Sequence, residues 1–193
     1  MIIPLTENKI QEVVALHQKV LGHTLNSRIG SWFLKKLYMQ TIKAENNGFG
    51  FIYMENNKVL GFISFCIDQE KLSNKIKQSI SFKNKLKLFS FLIFHPNLIN
   101  KFIKNIFFGN FIKNNFKKPY TIILTIGVHS NTRGKGIGKK LINKCQEVLK
   151  NKNINTIYVD TEITNKIAIK FYQKIGFQII KKKFNNVILK ITT

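Results

Sequence analysis

Thr125-Ile-Gly-Val-His-Ser-Asn-Thr-Arg-Gly-Lys-Gly-Ile-Gly138 is the stretch that decides the fold. An apolar, β-type run from Tyr120 to Val128 stops at a short polar turn. Three glycines then alternate with Lys135 and Ile137, and an amphipathic helix follows over 137–150. A strand that feeds a glycine-rich turn and then a helix N-terminus is a phosphate cradle. The first amide N–H groups of the helix have no internal partners, and the aligned peptide dipoles place partial positive charge there. Gly134, Gly136 and Gly138 lack the Cβ atoms that would hold a diphosphate away from the backbone.

Two better-known glycine loops do not fit. The P-loop needs Gly-x-x-x-x-Gly-Lys-Ser/Thr, and the dinucleotide fingerprint needs Gly-x-Gly-x-x-Gly at the opening of a βαβ unit. Arg133-Gly-Lys-Gly-Ile-Gly138 instead fits Arg/Gln-x-x-Gly-x-Gly/Ala, the coenzyme A pyrophosphate loop of the GNAT N-acetyltransferase superfamily, which this chain resembles. A second block, Asn165-Lys-Ile-Ala168-Ile-Lys-Phe171-Tyr172-Gln-Lys-Ile-Gly176-Phe177, is similar to the segment that the family carries on its last core helix and the turn after it.

The resemblance implies a mixed, mostly antiparallel sheet of six or seven strands, an α/β (α+β) fold flanked by helices and split between the fourth and fifth strands to admit acetyl-CoA. It places the pantetheine arm beside Ile126, Gly127 and Val128, with the Val128 N–H donating to the thioester carbonyl and Gly127 at a bulge. The amides of Arg133, Gly134, Lys135, Gly136, Ile137 and Gly138 would hold the diphosphate. Lys135, Lys139 and Lys140 would neutralise it, and Arg133 would order the loop. Tyr172 would stand by the thioester sulfur and donate to the leaving thiolate, either by proton transfer or by hydrogen bonding; simple packing is the alternative. Asn165 would cap its helix and bond the coenzyme. For the base, Asp160 and Glu162 share one face of the fifth strand. Asp160 falls where some members carry a carboxylate that deprotonates the amine, often through water. His129 is expected to face solvent beside the diphosphate. His17, His23 and His95 lack metal-ligand spacing, so no metal is expected.

The rest of the chain reads as one domain over 1–193, long enough for a real core. Its net charge is +23, and 30 of its 32 basic residues are lysine, which together with abundant Ile and Asn reads as coding bias. Such a field still attracts anions. Cys66 and Cys145 are isolated thiols, and Met-Ile-Ile-Pro lacks the pattern of a signal peptide. The expectation is a reducing cytoplasm. A strand over 2–5, a helix to Leu21, a helix from Ser27 to Lys43 and a hairpin of 49–54 with 59–67 precede the unusual region. After 120–150, a strand over 154–161, a helix over 165–174 and a closing hairpin at Phe184-Asn-Asn-Val187 are expected.

Residues 71–118 hold eleven lysines, no acid and nine of the seventeen phenylalanines, and read as an insertion between the third and fourth strands. Helices are expected at 84–94 and 98–108, with Leu86, Phe89 and Ile93 as a core-facing stripe. Four roles stay open: a hairpin packed on the sheet, a wall of the acceptor site, a homodimer surface, or peripheral contact with an anionic membrane. The aromatic spacing argues against nucleic acid. The resemblance implies N-acetylation of a primary amine on a small molecule, by direct attack in a ternary complex. The Trp32–Tyr38 helix and the long insertion are similar to GNAT proteins of surface-sugar pathways, which puts a nucleotide-linked amino sugar first. A protein N-terminus or lysine, a polyamine and an aminoglycoside are alternatives, with the +23 charge disfavouring polyamines. The rival class is a non-catalytic coenzyme A-binding module docked on nucleic acid or membrane.

Overall fold

The computed structural model describes residues 1–99, 115–116, 118–183 and 185–192. Its strands are β1 (Ile2–Pro4), β2 (Gly48–Glu55), β3 (Lys58–Cys66), β4 (Thr121–Val128), β5 (Thr156–Glu162), β6 (Gln178–Lys183) and β7 (Asn186–Thr192). They form one sheet in the order β1-β2-β3-β4-β5-β7-β6, and only the β4–β5 pair is parallel. The helices are α1 (Ile10–Leu21), α2 (Leu25–Ile29), α3 (Ser31–Ile42), α4 (Gln69–Ser79), α5 (Phe82–Phe94), α6 (Ile137–Lys150) and α7 (Lys166–Lys174). The closing hairpin inserts β7 between β5 and β6, so the first residues of β7 lie against the end of β5.

Each face of the sheet carries its own core. On one side α6 buries Ile137, Leu141, Ile142, Cys145 and Leu149, a stripe at helical spacing, against Phe65, Ile123, Ile157 and Val159. On the other side Val13 and Val14 of α1 and Leu34 and Tyr38 of α3 pack on Ile52 and Phe62. Each fully buried aliphatic or aromatic side chain contributes about 1.5–3 kcal/mol relative to exposure. Cys66 and Cys145 are both buried free thiols.

Four expectations are corrected. The single helix over 27–43 is two, α2 and α3, broken where Gly30 takes φ +123°, a backbone angle that interrupts the helical ladder. Helix α4 was not anticipated. It is polar and buries only Leu72, but Asp68 caps it by accepting from the Lys71 N–H at 3.0 Å. Helix α5 begins at Phe82, and its Leu86–Phe89–Ile93 stripe faces solvent rather than the core. The bulge in β4 lies at Leu124, where Ser64 faces Thr125 and Phe65 faces Ile123, and Gly127 pairs regularly with Phe62. Most of the helix expected over 98–108, from residue 100 on, lies outside the described residues, as does Phe184 of the expected turn.

Candidate active site

Strands β4 and β5 pair only over Thr121↔Ile157, Ile122↔Tyr158 and Ile123↔Val159. Beyond Ile123 they part, and the gap opens into a cleft of about 1170 Å³. The His129 N–H donates to the Leu60 carbonyl of β3 at 2.8 Å. Backbone groups alternate in direction along a strand, so Ile126 and Val128 turn theirs toward the open edge while those of Gly127 face β3. A cleft with an unpaired strand edge as one wall accepts an extended chain carrying amides.

At the end of that edge, a 3-10 turn at Ser130–Thr132 leads into the glycine turn. Gly134 (φ +82°) and Gly136 (φ +75°) occupy the left-handed region, and a Cβ on either would meet open space. Backbone strain, together with room kept for a ligand, therefore explains them. Gly138 has a different reason: its Cβ would stand 2.9 Å from Cζ of Phe171, so this glycine seats α6 against α7. Gly127 likewise gives way to Phe62, whose Cζ would lie 2.6 Å from an added Cβ. The first N–H to bond back into α6 is that of Lys140, to Gly136 O at 3.0 Å. Three amides, on Ile137, Gly138 and Lys139, are thus left in the first turn.

Of the residues singled out from the sequence, Ile126, Gly127, Val128, Arg133, Gly134, Gly136, Ile137, Gly138, Lys139, Asp160, Glu162, Asn165 and Tyr172 all line this one cleft; Lys135 does not, and neither does Lys140, which lies over the Tyr53 ring instead. Asp160 is half-buried between β4 and β7. Burial pushes its carboxyl up to about 6, against the opposing effect of Asn186, whose Nδ2 donates to Asp160 Oδ2 at 3.0 Å. Tyr172 is buried, and its hydroxyl makes no hydrogen bond among the described residues. Burial raises its phenol well above the ordinary range, and the Asp160 charge raises it further. Asn165 caps α7, its Oδ1 accepting from the Ala168 N–H at 3.1 Å, which leaves its amide nitrogen for other use. His129 is half-buried, with its Nε2 3.0 Å from the Lys19 ammonium. Among the described residues no cluster of His, Cys, Asp and Glu could hold a metal ion.

Sequence reasoning missed part of the cleft's lining. His17, His23, Thr24 and Asn26 come to it from α1, α2 and the turn between them, and Asn185 and Asn186 from the β6–β7 turn. His17 Nδ1 lies 2.6 Å from the Tyr38 hydroxyl. That hydroxyl is 3.2 Å from Thr125 Oγ1, which is in turn 3.0 Å from Ser64 Oγ. This chain fixes Thr125 beside the open strand edge. Burial pushes His17 down to about 4, so the imidazole is neutral at ordinary pH. Only Asn186, directly after a turn and opposite Glu162 in the β5–β7 register, carried a readable signal.

Comparison with known proteins agrees with this geometry. Residues 104–177 match the model described as the acetyltransferase (GNAT) family. Over 72 residues the chain is 40% identical to N-alpha-acetyltransferase 50 of Danio rerio, a stretch covering 37% of this chain and 42% of that protein. Over 69 residues it is 38% identical to an uncharacterised N-acetyltransferase of Methanocaldococcus jannaschii, covering 36% of this chain and 30% of that one. The chain thus spans less than half the length of the curated relatives it matches. The PaiA N-acetyltransferase of Thermoplasma acidophilum, solved with coenzyme A, superposes with a TM-score of 0.66 at 14% identity, covering 100% of this chain and 98% of that one. The ribosomal-protein-S18-alanine N-acetyltransferase of Escherichia coli superposes with a TM-score of 0.61 at 11% identity, covering 100% and 92%. At these identities the structural likeness establishes the fold.

Proposed function

With residues 104–177 belonging to the acetyltransferase (GNAT) family, we propose that the chain is one acetyltransferase domain that moves an acetyl group from acetyl-CoA to a primary amine by direct attack in a ternary complex. The observation that carries this reading is the parting of β4 from β5 beyond Ile123, with a helix N-terminus at one end and Asp160 and Tyr172 on the walls. The pantetheine arm lies along Ile126–Val128 as an added strand. The diphosphate rests on the turn amides of Gly134 and Gly136 and on those of Ile137, Gly138 and Lys139 in the first turn of α6, with Arg133 and Lys139 as cations and Asn165 Nδ2 as a further donor; the Arg133 and Lys135 amides already donate to Ser130 and Thr132. Lys135 contributes charge from outside the cleft wall. Buried free thiols and acetyl-CoA as donor fit the cytoplasm.

The chemistry needs a neutral amine, a stabilised oxyanion and a leaving thiolate that is not left bare. A carboxyl held at about 6 is ionised at neutral pH, yet basic enough to take a proton from an ammonium directly or through water. Glu162, two residues along the same face, guides the amine toward it. The Val128 N–H, turned to the open edge, donates to the developing oxyanion. As the C–N bond forms and the C–S bond breaks, Tyr172 donates a hydrogen bond to the sulfur. Its raised pKa keeps it protonated, and part of that elevation comes from the Asp160 charge. Once Asp160 holds the amine's proton, that part disappears, and the phenol becomes a better donor as the thiolate forms.

For the acceptor, the part of the cleft lined from α1, α2 and the β6–β7 turn favours a peptide amine over a nucleotide-linked amino sugar. It offers His17, His23, Thr24, Asn26, Asn185 and Asn186, while the cleft's lysines and arginine, Arg133, Lys139, Lys170 and Lys174, all come from the glycine turn, α6 and α7. The N-alpha-acetyltransferase names of its relatives point the same way. The test is thiol release from acetyl-CoA with three acceptors: a peptide with a free N-terminus, a blocked peptide carrying lysine, and a nucleotide-linked amino sugar. Turnover with the first alone is expected. Turnover with the sugar alone would return the acceptor to that class. Tight coenzyme binding without turnover on any amine would leave a coenzyme A-binding module.

A further inference from the structure

Helix α5 is apolar on two opposite sides. Its inner side sets Leu88 and Phe91 against Leu25, Ile29, Trp32, Phe33 and Leu98. Its outer side carries Phe82, Leu86, Phe89 and Ile93 at steps of four, three and four, which puts them in one line along the helix. Their exposures are 76%, 51%, 63% and 57%, against 0–3% for the core side chains of α6. At 100° per residue, Lys85 flanks this line on one side and Lys83 and Lys87 on the other.

We propose that this outer face of α5 docks the protein on an anionic lipid bilayer. An apolar row of this length in solvent marks an interaction surface rather than chance exposure. Its arrangement is that of an interfacial helix. Phenylalanine and leucine enter the acyl boundary, and lysines on both flanks lay their methylene stems along it while the ammonium groups meet lipid phosphates. The charge selects the occupant. No acidic residue occurs between Glu70 and Glu147, and the chain as a whole carries +23. A second copy would bring lysines against lysines with no acid to pair them, whereas an anionic leaflet supplies both the negative field and the apolar sink. No described helix is long and apolar enough to cross a membrane, so the contact is with the surface. The inference is independent of acetyl transfer.

The test is co-sedimentation of the full chain with phosphatidylcholine vesicles, with and without phosphatidylglycerol, over a range of salt. Wild type should pellet with the anionic vesicles only, and less so as salt rises. Leu86→Ser with Phe89→Ser should lower vesicle affinity about tenfold or more, since both lose most of their transferable apolar area. Lys83, Lys85 and Lys87→Gln should weaken binding and flatten its salt dependence. All these side chains are exposed, so melting temperatures should hold. Phe82→Ser, one turn away, gives the same reading if the double variant fails to fold. Absence of pelleting, or pelleting indifferent to the serine variants, overturns the proposal. So does a wild-type dimer that the serine variants convert to monomer, which would assign the face to a second copy. An oligonucleotide held more tightly than vesicles by the same residues would overturn it in favour of nucleic acid.

Discussion

Helices α5 and α6 look alike in sequence and end in opposite places. Each has three or four lysines and an apolar line at helical spacing. In α6 the line closes on the sheet with Leu141, Cys145 and Leu149 fully covered, and its lysines find aromatic neighbours: Lys140 and Lys144 each lie 5.8 Å from the ring centroids of Tyr53 and Phe51. In α5 the longest apolar line is the one left in water, and the weaker pair, Leu88 and Phe91, makes the internal contact. Periodicity reports that a face exists; what lies opposite that face decides its fate. α6 is delivered to its place by the turn that follows β4, whereas the described residues between β3 and β4, where α5 lies, include no strand.

If chemistry belongs to the α6 end and docking to α5, the two should come apart under mutation. The largest effect is expected at Asp160. Asp160→Asn should lower kcat by about 10²–10⁴-fold and leave vesicle binding unchanged, checked by steady-state kinetics beside sedimentation. In the wild type kcat/KM should rise with pH through about 6 as the carboxyl ionises, and the variant should lose that limb. The sign for stability is the reverse. A carboxyl whose folded pKa is raised binds its proton more tightly in the fold, so ionising it costs stability as pH rises from about 4 to 6. Asp160→Asn should therefore melt higher than wild type at pH 7.

Next in size is the core contrast. Leu141→Ala in α6 should cost about 2–5 kcal/mol in denaturant unfolding, because it empties a fully covered site. Smaller again is Gly136→Val, which should weaken acetyl-CoA binding about tenfold by calorimetry. A branched side chain there is strained at positive φ and occupies the open space over the turn. Smallest is Leu86→Ala in α5, expected to shift stability by no more than about 0.5 kcal/mol. Equal costs for Leu141 and Leu86 would erase the distinction between the two helices.

What could be read from the sequence follows the same division. The strand, turn and helix at 120–150 and the capped helix at Asn165 were legible because each is fixed by local chemistry: glycines with positive φ, a capping amide, a continuous apolar stripe. Gly30 was passed over because one glycine in a helical pattern does not announce its φ. Helix α4 was passed over because its only buried residue is Leu72, too little to set a period. The cleft lining from α1 and the β6–β7 turn was illegible for a different reason. Asn186 reaches Asp160 only because β7 slips between β5 and β6, and His17 reaches Thr125 only through Tyr38, 21 residues away in sequence. Such contacts are products of topology.

Asp68 holds one further consequence. Its carboxylate caps α4 and takes the Lys118 ammonium at 2.7 Å, while Asn47 grips its backbone from both sides, accepting from its N–H at 2.6 Å and donating to its carbonyl at 3.0 Å. Both ends of the excursion between β3 and β4 are thus clasped at one point, beside the pair Cys66↔Ile122 that keeps the sheet in register. A loop whose ends are already fastened adds only about 0.6 kcal/mol of closure entropy for each doubling of its length. Length can therefore vary within the excursion at little cost to the frame, as long as Leu72 keeps its place against Ala44 and Cys66 and Leu98 its place against Leu25 and Ile29.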